Sequence, residues 1–220
     1  MSHLHIPDGL LPLWLWAGGL ALSLAALAVS AIATRASTRQ AIAYRGALGG
    51  LVLVAMAVEL PLGPIEYHLS LVGPVGALVG PAAAFQLVFV VSAILAFAGH
   101  GGFTVVGLNA LVLGSGAVLA GPLFRLLVAR WRPAAALAVT TAISQGLSGI
   151  LWALVVGVAL RTDSAGHGAS HLRALSAFAL PVWFAGLLIE SAVAYGLGGF
   201  LARVRPDLLG VSPPTAETLR

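Results

Sequence analysis

The chain has 220 residues, of which 60% are hydrophobic and only 8% charged. With a mean hydropathy of +1.03, this composition excludes an ordinary soluble domain and identifies an integral membrane protein. There is no cysteine, which rules out disulfides, thiolate metal sites and cysteine nucleophiles, and the net charge of +4 comes from eleven basic residues that are all arginine.

A membrane span needs roughly 20 mainly apolar residues, so a chain of this length with short loops has room for about six or seven helices and no separate soluble domain. The expectation is an all-α integral membrane protein, a compact bundle of about seven transmembrane helices forming a single transmembrane domain over residues 1–220. Segment 1–9 would lead into the first helix, and 203–220 would form a tail. Apolar runs between charged or turn-rich breaks predict spans near 10–33, 46–60, 69–80, 81–98, 103–128, 134–160 and 174–202.

The first of these follows MSHLHIPDG. It lacks the basic start of a signal peptide, carries His3, His5 and Asp8 instead, and runs apolar for more than 20 residues, so it is expected to remain as the first helix. Met1-Ser2-His3 has the form amine, any residue, histidine. Its terminal amine, two amide nitrogens and imidazole can surround Cu(II) or Ni(II) in a square plane. If Met1 is removed, the chain begins Ser2-His3, with one amide fewer, and His5 or another histidine could complete four nitrogens. The alternative is a solvated terminus with incidental histidines, against which the Ile6-Pro7-Asp8-Gly9 turn argues by fixing the segment.

Within the first helix, Gly18, Ala21, Ala25 and Ala28 line up small residues on one face. Such stripes permit close helix approach in lipid, either inside the bundle or as a dock for another membrane subunit. Ala26, Ser30 and Ala33 form a second such stripe.

After the second span, the proline-bearing loop Glu59 to His68 is a rigid way to present one imidazole, with Glu66, Tyr67 and His68 at the start of the short third segment. The third segment, 69–80, is short for a crossing, and Gly80-Pro81 makes a tight turn into the fourth. If all seven segments cross and the N-terminus is outside, Arg35, Arg39, Arg45, Arg125, Arg130, Arg132, Arg203, Arg205 and Arg220 are cytoplasmic, leaving only Arg161 and Arg173 outside. If 69–80 only dips into the membrane, the count becomes five inside against six outside. The preference for positive charge inside therefore favours a true, short crossing, tolerable where protein surrounds it. On that topology His3, His5, His68, His100, His167 and His171 all lie on the outer side, and imidazole is the commonest metal ligand.

Between the fourth and fifth spans, a glycine-rich turn carrying His100, Gly101 and Gly102 leads to Asn109, expected roughly two helical turns into the membrane. Asn109 either bridges helices or orients a ligand histidine. Glu190, near the middle of the last span, is an expensive intramembrane carboxyl with Gln86, Gln145 or Asn109 as candidate partners. Gly146-Leu147-Ser148-Gly149 matches the G-x-S-G of an intramembrane serine protease, an accidental match in a chain with 27 glycines.

At His5-Ile6-Pro7-Asp8-Gly9, followed by His68, Gly101-Gly102 with Gly107-Leu108-Asn109, Gly186 to Glu190 and the 204–209 ending Val-Arg-Pro-Asp-Leu-Leu, the chain resembles the CbiM/NikM family. These are the substrate-capturing components of energy-coupling-factor transporters for cobalt and nickel. The resemblance runs in order over nearly the whole chain. It implies a seven-helix protein with an external N-terminus and cytoplasmic C-terminus in the plasma membrane of a prokaryote. It also implies metal capture by the N-terminal amine, the adjacent histidine and the loop histidine.

Two departures bear on the ligand set. Three residues, Met1-Ser2-His3, precede a Leu4 that stands where the family begins with methionine, so Leu4 has no free amine. Either His3 with the terminal amine of Met1 or Ser2 takes the role, or His5 binds through its ring with His3 replacing the lost amine; His68 participates in both. His100 stands where the family commonly has an aspartate, and it could add a ligand, guard the entrance or be inert.

The expected function is capture of Ni²⁺ or Co²⁺ as transported substrate, with no permanently bound cofactor. The chain is expected to be a transporter component and not an enzyme, and transport would require partners for ATP hydrolysis, since nothing in it resembles a G-x-x-x-x-G-K-[ST] loop. By resemblance the partners are a transmembrane coupling subunit and two cytoplasmic ATPase subunits, with a small accessory membrane subunit as a further candidate, within the lipid bilayer and without nucleic acid. A carrier for an organic micronutrient and a purely structural membrane subunit are the rival readings.

Overall fold

In a computed structural model, residues 6, 8–58, 60–62, 65–162 and 167–210 are described, with side chains for all of these except 60–62, 65, 66, 167–172, 174–176, 178 and 180. Helix α1 (Leu13–Thr34) starts directly after Pro12, whose extended backbone cannot continue a helix backwards. Helix α2 (Arg39–Ala57) starts earlier than the apolar run at 46, because the Thr38 hydroxyl accepts from the Ala41 N–H and caps about the first two turns, which bear Arg39 and Arg45. A hairpin follows, β1 (Leu60–Leu62) against β2 (Ile65–Tyr67), pairing Leu60 with Tyr67. The apolar pattern did not disclose these two short strands.

Then come α3 (Val72–Val79), α4 (Pro81–Phe97), α5 (Val106–Val128), α6 (Pro133–Thr162) and α7 (His167–Val204), with a 3-10 turn at Pro206–Leu209. Helix α7 begins seven residues before the predicted span at 174, through a stretch that includes His171 and Arg173. Among the described residues, five helices are long and apolar enough to cross a membrane, and α4 is a shorter apolar helix. Lipid is the natural neighbour of side chains such as Val29, Val54, Phe97, Leu126, Phe184 and Leu188, which are exposed on the outside of the bundle.

Helix α5 is the central post, packed against α1, α3, α4 and α6, while α6 and α7 form the most extensive pair. Helices α1 and α5 start at the same end, since Gly19 abuts Leu108 and Gly107 abuts the Leu20 backbone. Helix α4 runs the other way, its second turn meeting the last turn of α1 where Gln86 donates to Thr34 (2.8 Å). Helices α6 and α7 are antiparallel, with Gly198 beside Ala134. The bundle therefore has two ends. One holds the starts of α1, α5 and α7 together with His68 and His100. The other gathers Arg35, Arg39, Arg45, Arg125, Arg130, Arg132, Arg203 and Arg205.

The third segment is where the fold is unusual. Eight residues of α3 rise only about 12 Å, well short of a hydrocarbon core of about 30 Å. The four non-helical residues 68–71 add at most about 14 Å. Together they match the roughly 25 Å length of the 17-residue α4 lying antiparallel beside them. Residues 68–79 thus return the chain from the histidine end to the arginine end as half loop, half helix. Helix α3 is buried at Val72, Gly73, Pro74, Val75 and Gly76, walled by α5 and α6. At Gly76 any side chain would run into the Ala117 backbone of α5, so the short helix is held by protein on the faces that lipid would otherwise have to cover.

Candidate metal centre

The irregular 68–71 stretch needs partners for its backbone, and Glu190 supplies them. Its carboxylate is fully buried and accepts from the Tyr67 hydroxyl (2.8 Å), the Ser70 N–H (2.7 Å), the Ser70 hydroxyl (3.0 Å) and the Leu71 N–H (3.1 Å). Gln145 donates in turn to the Ser70 hydroxyl (2.5 Å). Leu71 adopts a left-handed conformation (φ +52) immediately before α3, and a residue of that type does so only when its surroundings fix it. One helical turn from Glu190, Gly186 leaves the room the Tyr67 ring occupies. The Tyr67 hydroxyl is the donor in its bond to Glu190, whose carboxyl oxygen accepts. The consequence is a fixed position for His68, itself 8% exposed, between two anchored residues.

A second carboxylate works at the loop that follows α4. Asp8 accepts from the Phe103 N–H (2.7 Å), the Thr104 N–H (2.8 Å) and the Thr104 hydroxyl (2.5 Å). Its partial desolvation would raise its pKa, but these bonds prevail and hold the carboxyl below its usual range. Two residues earlier, Ile6 is fully buried, its N–H donating to the Asn109 side-chain oxygen (3.0 Å) and its carbonyl accepting from the Asn109 amide (3.4 Å). Ile6 packs with Leu11, Val105, Leu108 and Trp152 in one apolar cluster. Gly102 makes the fit possible, since a Cβ there would lie 2.5 Å from the Asp8 Oδ1 and 2.7 Å from its backbone nitrogen. The segment that begins α1 is therefore plugged into the mouth formed by 102–109.

His100 sits on the same loop. Its ring centroid is 6.1 Å from that of His68, with the rings inclined at 65°. Among the described residues, no group of three or more His, Cys, Asp or Glu side chains is close enough to hold a metal ion.

Of the residues singled out from sequence, Met1, Ser2, His3 and His5 lie outside the described residues, and Glu66 falls in β2 with its side chain also outside them. His167 and His171 fall in the first turns of α7. Asn109 sits in the first turn of α5, shallower than expected, and among the described residues its side chain bonds to the Ile6 backbone and to neither a histidine nor another helix. Glu190 does not pair with Gln86 or Asn109. Gln86 is at the opposite end with Thr34, and the partners of Glu190 are the loop beside His68, with Gln145 reaching it through Ser70. Gly18, Ala21, Ala25 and Ala28 are all exposed, so the stripe is not internal packing; α1 instead turns Gly19, Ser23 and Ser30 inward. Ser148 is buried, and a Cβ at Gly116 would come within 2.5 Å of its hydroxyl, which marks a close crossing of α5 and α6.

Ser70, Leu71, Phe103 and Thr104 were not legible as parts of the site. The available signal was the Gly186-to-Glu190 spacing, which puts a gap and an acceptor one turn apart on a single helix face, the imprint of a tyrosine lying across it.

The fold and this mouth define a polytopic α-helical membrane protein. A solved structure described as a truncated transition metal transporter superposes with a TM-score of 0.76 at 17% identity, covering 92% of this chain and 98% of that one. Another, a transition metal transporter, superposes with a TM-score of 0.76 at 18% identity and 93% coverage of both chains. At such identities the likeness is one of fold. No curated protein matches the sequence. The family model CbiM, the cobalt uptake substrate-specific transmembrane region, matches residues 5–208, and the chain belongs to that family.

Proposed function

We propose that this chain is the substrate-capturing component of an energy-coupling-factor importer and takes Ni²⁺ or Co²⁺ from outside the cell. The observation that carries this reading is the docking of Ile6 and Asp8 onto the 102–109 mouth, whose own loop brings His100 to 6.1 Å from His68. His5 immediately precedes Ile6 in the chain. Nitrogens of the 1–5 segment, with His3 and His5 foremost, would complete a coordination sphere with His68. Imidazole and amine nitrogens suit Ni, Co, Cu and Zn, and discriminate poorly between nickel and cobalt.

The gathering of arginines at the opposite end supports an external histidine end and a cytoplasmic C-terminus. Transport would require a transmembrane coupling subunit and two ATPase subunits. The exposed Gly18, Ala21, Ala25 and Ala28 face offers a smooth surface for a membrane partner.

The test is cellular uptake of radioactive nickel and cobalt, paired with titration of the purified chain. Uptake and binding should both be lost in the His5→Ala, His68→Ala double variant. Unchanged uptake in that variant would leave only a structural role, and no metal binding by the unmodified chain would favour an organic substrate.

A further inference from the structure

His100 is placed with more care than a loop residue needs. Helix α4 ends with Gly99 in the left-handed conformation (φ +85), the Gly99 N–H donating to the Ala96 carbonyl (3.1 Å) and the His100 N–H reaching back to the Leu95 carbonyl (2.8 Å). This pair of bonds is the Schellman helix ending, in which the residue after the glycine commonly carries an apolar side chain that packs back on the helix. Here that position is given to an imidazole. Gly101 (φ +87) then turns the chain away, so His100 is fixed to the end of a helix on one side and to a reversed backbone on the other.

Across the mouth, His68 is fixed by the Glu190 network. Two rings held by separate rigid elements thus face the same space, with centroids 6.1 Å apart. A metal–nitrogen bond of about 2.0–2.1 Å, plus roughly 1.1 Å from nitrogen to ring centre, lets one ion join two imidazoles only if their centroids lie within about 6.3 Å. The observed separation falls inside that limit for two ring nitrogens placed nearly opposite each other across the ion, with each ring turned to present one.

We propose that His100 binds the transported ion directly, together with His68, making the capture site of this chain a two-imidazole clamp beside the mouth where Ile6 and Asp8 dock. This rests on the metal-capture reading above and extends it to a ligand. A second fixed ring nitrogen biases the site towards borderline divalent ions, Ni²⁺, Co²⁺, Cu²⁺ and Zn²⁺, and away from Mg²⁺, Ca²⁺ and Mn²⁺, which prefer oxygen.

The full-length protein in detergent is titrated with Ni²⁺ and with Co²⁺ by calorimetry, and the imidazoles around bound nickel are counted by X-ray absorption. The set comprises the unmodified chain, His68→Ala, His100→Ala and His100→Gln, the last keeping a polar side chain in case the alanine variant folds poorly. The expected result is one imidazole fewer in either His100 variant, with affinity at least tenfold weaker and a reduced preference for Ni²⁺ over Mn²⁺. If affinity falls but the imidazole count stays the same, His100 only orients His68 and the clamp is wrong. An unchanged affinity and count overturn it equally. Failure of the unmodified chain to bind either ion would sink the transport reading and the clamp together, whereas loss confined to His68→Ala would sink the clamp alone.

Discussion

Two carboxylates do the same work at two depths. Asp8 holds the segment that follows His5, and Glu190 holds the segment that follows His68; each gathers backbone N–H groups and a hydroxyl from a stretch with no regular structure of its own. They differ in surroundings. Asp8 is exposed at the mouth, where water competes for every bond it makes, while Glu190 is 0% exposed with no water to replace any partner. The shallow anchor can let go and re-form, since water can take the place of each partner it gives up. The deep anchor is committed, because each donor it abandons becomes an orphan in a low-dielectric interior.

The sharpest way to break this contrast is to remove the deep carboxylate. Glu190→Ala strands the Tyr67 hydroxyl and the Ser70 and Leu71 N–H groups, at about 1–3 kcal/mol for each buried group left unsatisfied. That total is a large fraction of an ordinary folding stability of about 5–15 kcal/mol. The variant should accumulate poorly and lose metal binding with its His68 loop, read by thermal unfolding in detergent and by Ni²⁺ titration. Glu190→Gln, which keeps one acceptor oxygen, should fall between it and the unmodified chain. Equal melting temperatures for all three would show that the loop stands without its anchor.

The shallow anchor can be displaced without touching the deep one. In Gly102→Val the added atoms meet both the Asp8 carboxylate and its backbone, so the N-terminal segment must leave the mouth. The expected outcome is at least a tenfold loss of Ni²⁺ affinity and faster proteolysis near the N-terminus, with a fall in melting temperature much smaller than that of Glu190→Ala. A large loss of stability here would mean that the plug is part of the core, a role that the packing of Ile6 with Trp152 and Leu108 would then explain.

How much of this could be read from the sequence follows from what lipid demands. A span must be apolar throughout, so the runs at 103–128 and 134–160 disclosed α5 and α6 within a few residues. Where charge enters a helix the signal fails: Arg39 to Arg45 reads as a loop, yet Thr38 caps it and the helix runs through. The hairpin at 60–67 was hidden by its prolines and by strands too short for alternation to register. Within the site, Glu190 was conspicuous because a carboxyl in a span has to be explained. Its partners were not, because half of them are the backbone N–H groups of residues 70 and 71, and nothing in residue identity announces a left-handed Leu71. The same holds for Asn109, visible as a polar residue in a helix but not as a clasp on a main-chain segment 103 positions away.

A gentler substitution measures what the shallow anchor contributes while it stays in place. Asp8→Asn keeps one acceptor oxygen but gives up the charge that strengthens bonds from the Phe103 and Thr104 N–H groups. With the side chain exposed, water offsets most of that loss, so Ni²⁺ affinity should weaken only a few-fold and the melting temperature should hardly move. Calorimetry and a melting curve are enough to check it, and a loss as large as that of Gly102→Val would mean that the charge itself, through the ion or its ligands, matters more than the docking.

The smallest effect expected is on the docking itself when pH falls from 7.5 to 5.5. The Asp8 carboxyl is held below its usual value, so its contribution is fully present above the ordinary carboxylate pKa of about 3.9 and is lost only as pH falls through the lowered value. Protection of the N-terminal segment from protease should therefore be the same at both pH values. Metal capture should not be: an ordinary imidazole, of pKa about 6.5, is mostly protonated at pH 5.5 and must lose a proton to bind, costing about tenfold in affinity for each such ligand. Falling affinity with unchanged protection separates the ligands from the anchor. Protection that disappears in step with affinity would show that the segment is held in the mouth by the ion and its imidazoles, with the carboxylate secondary.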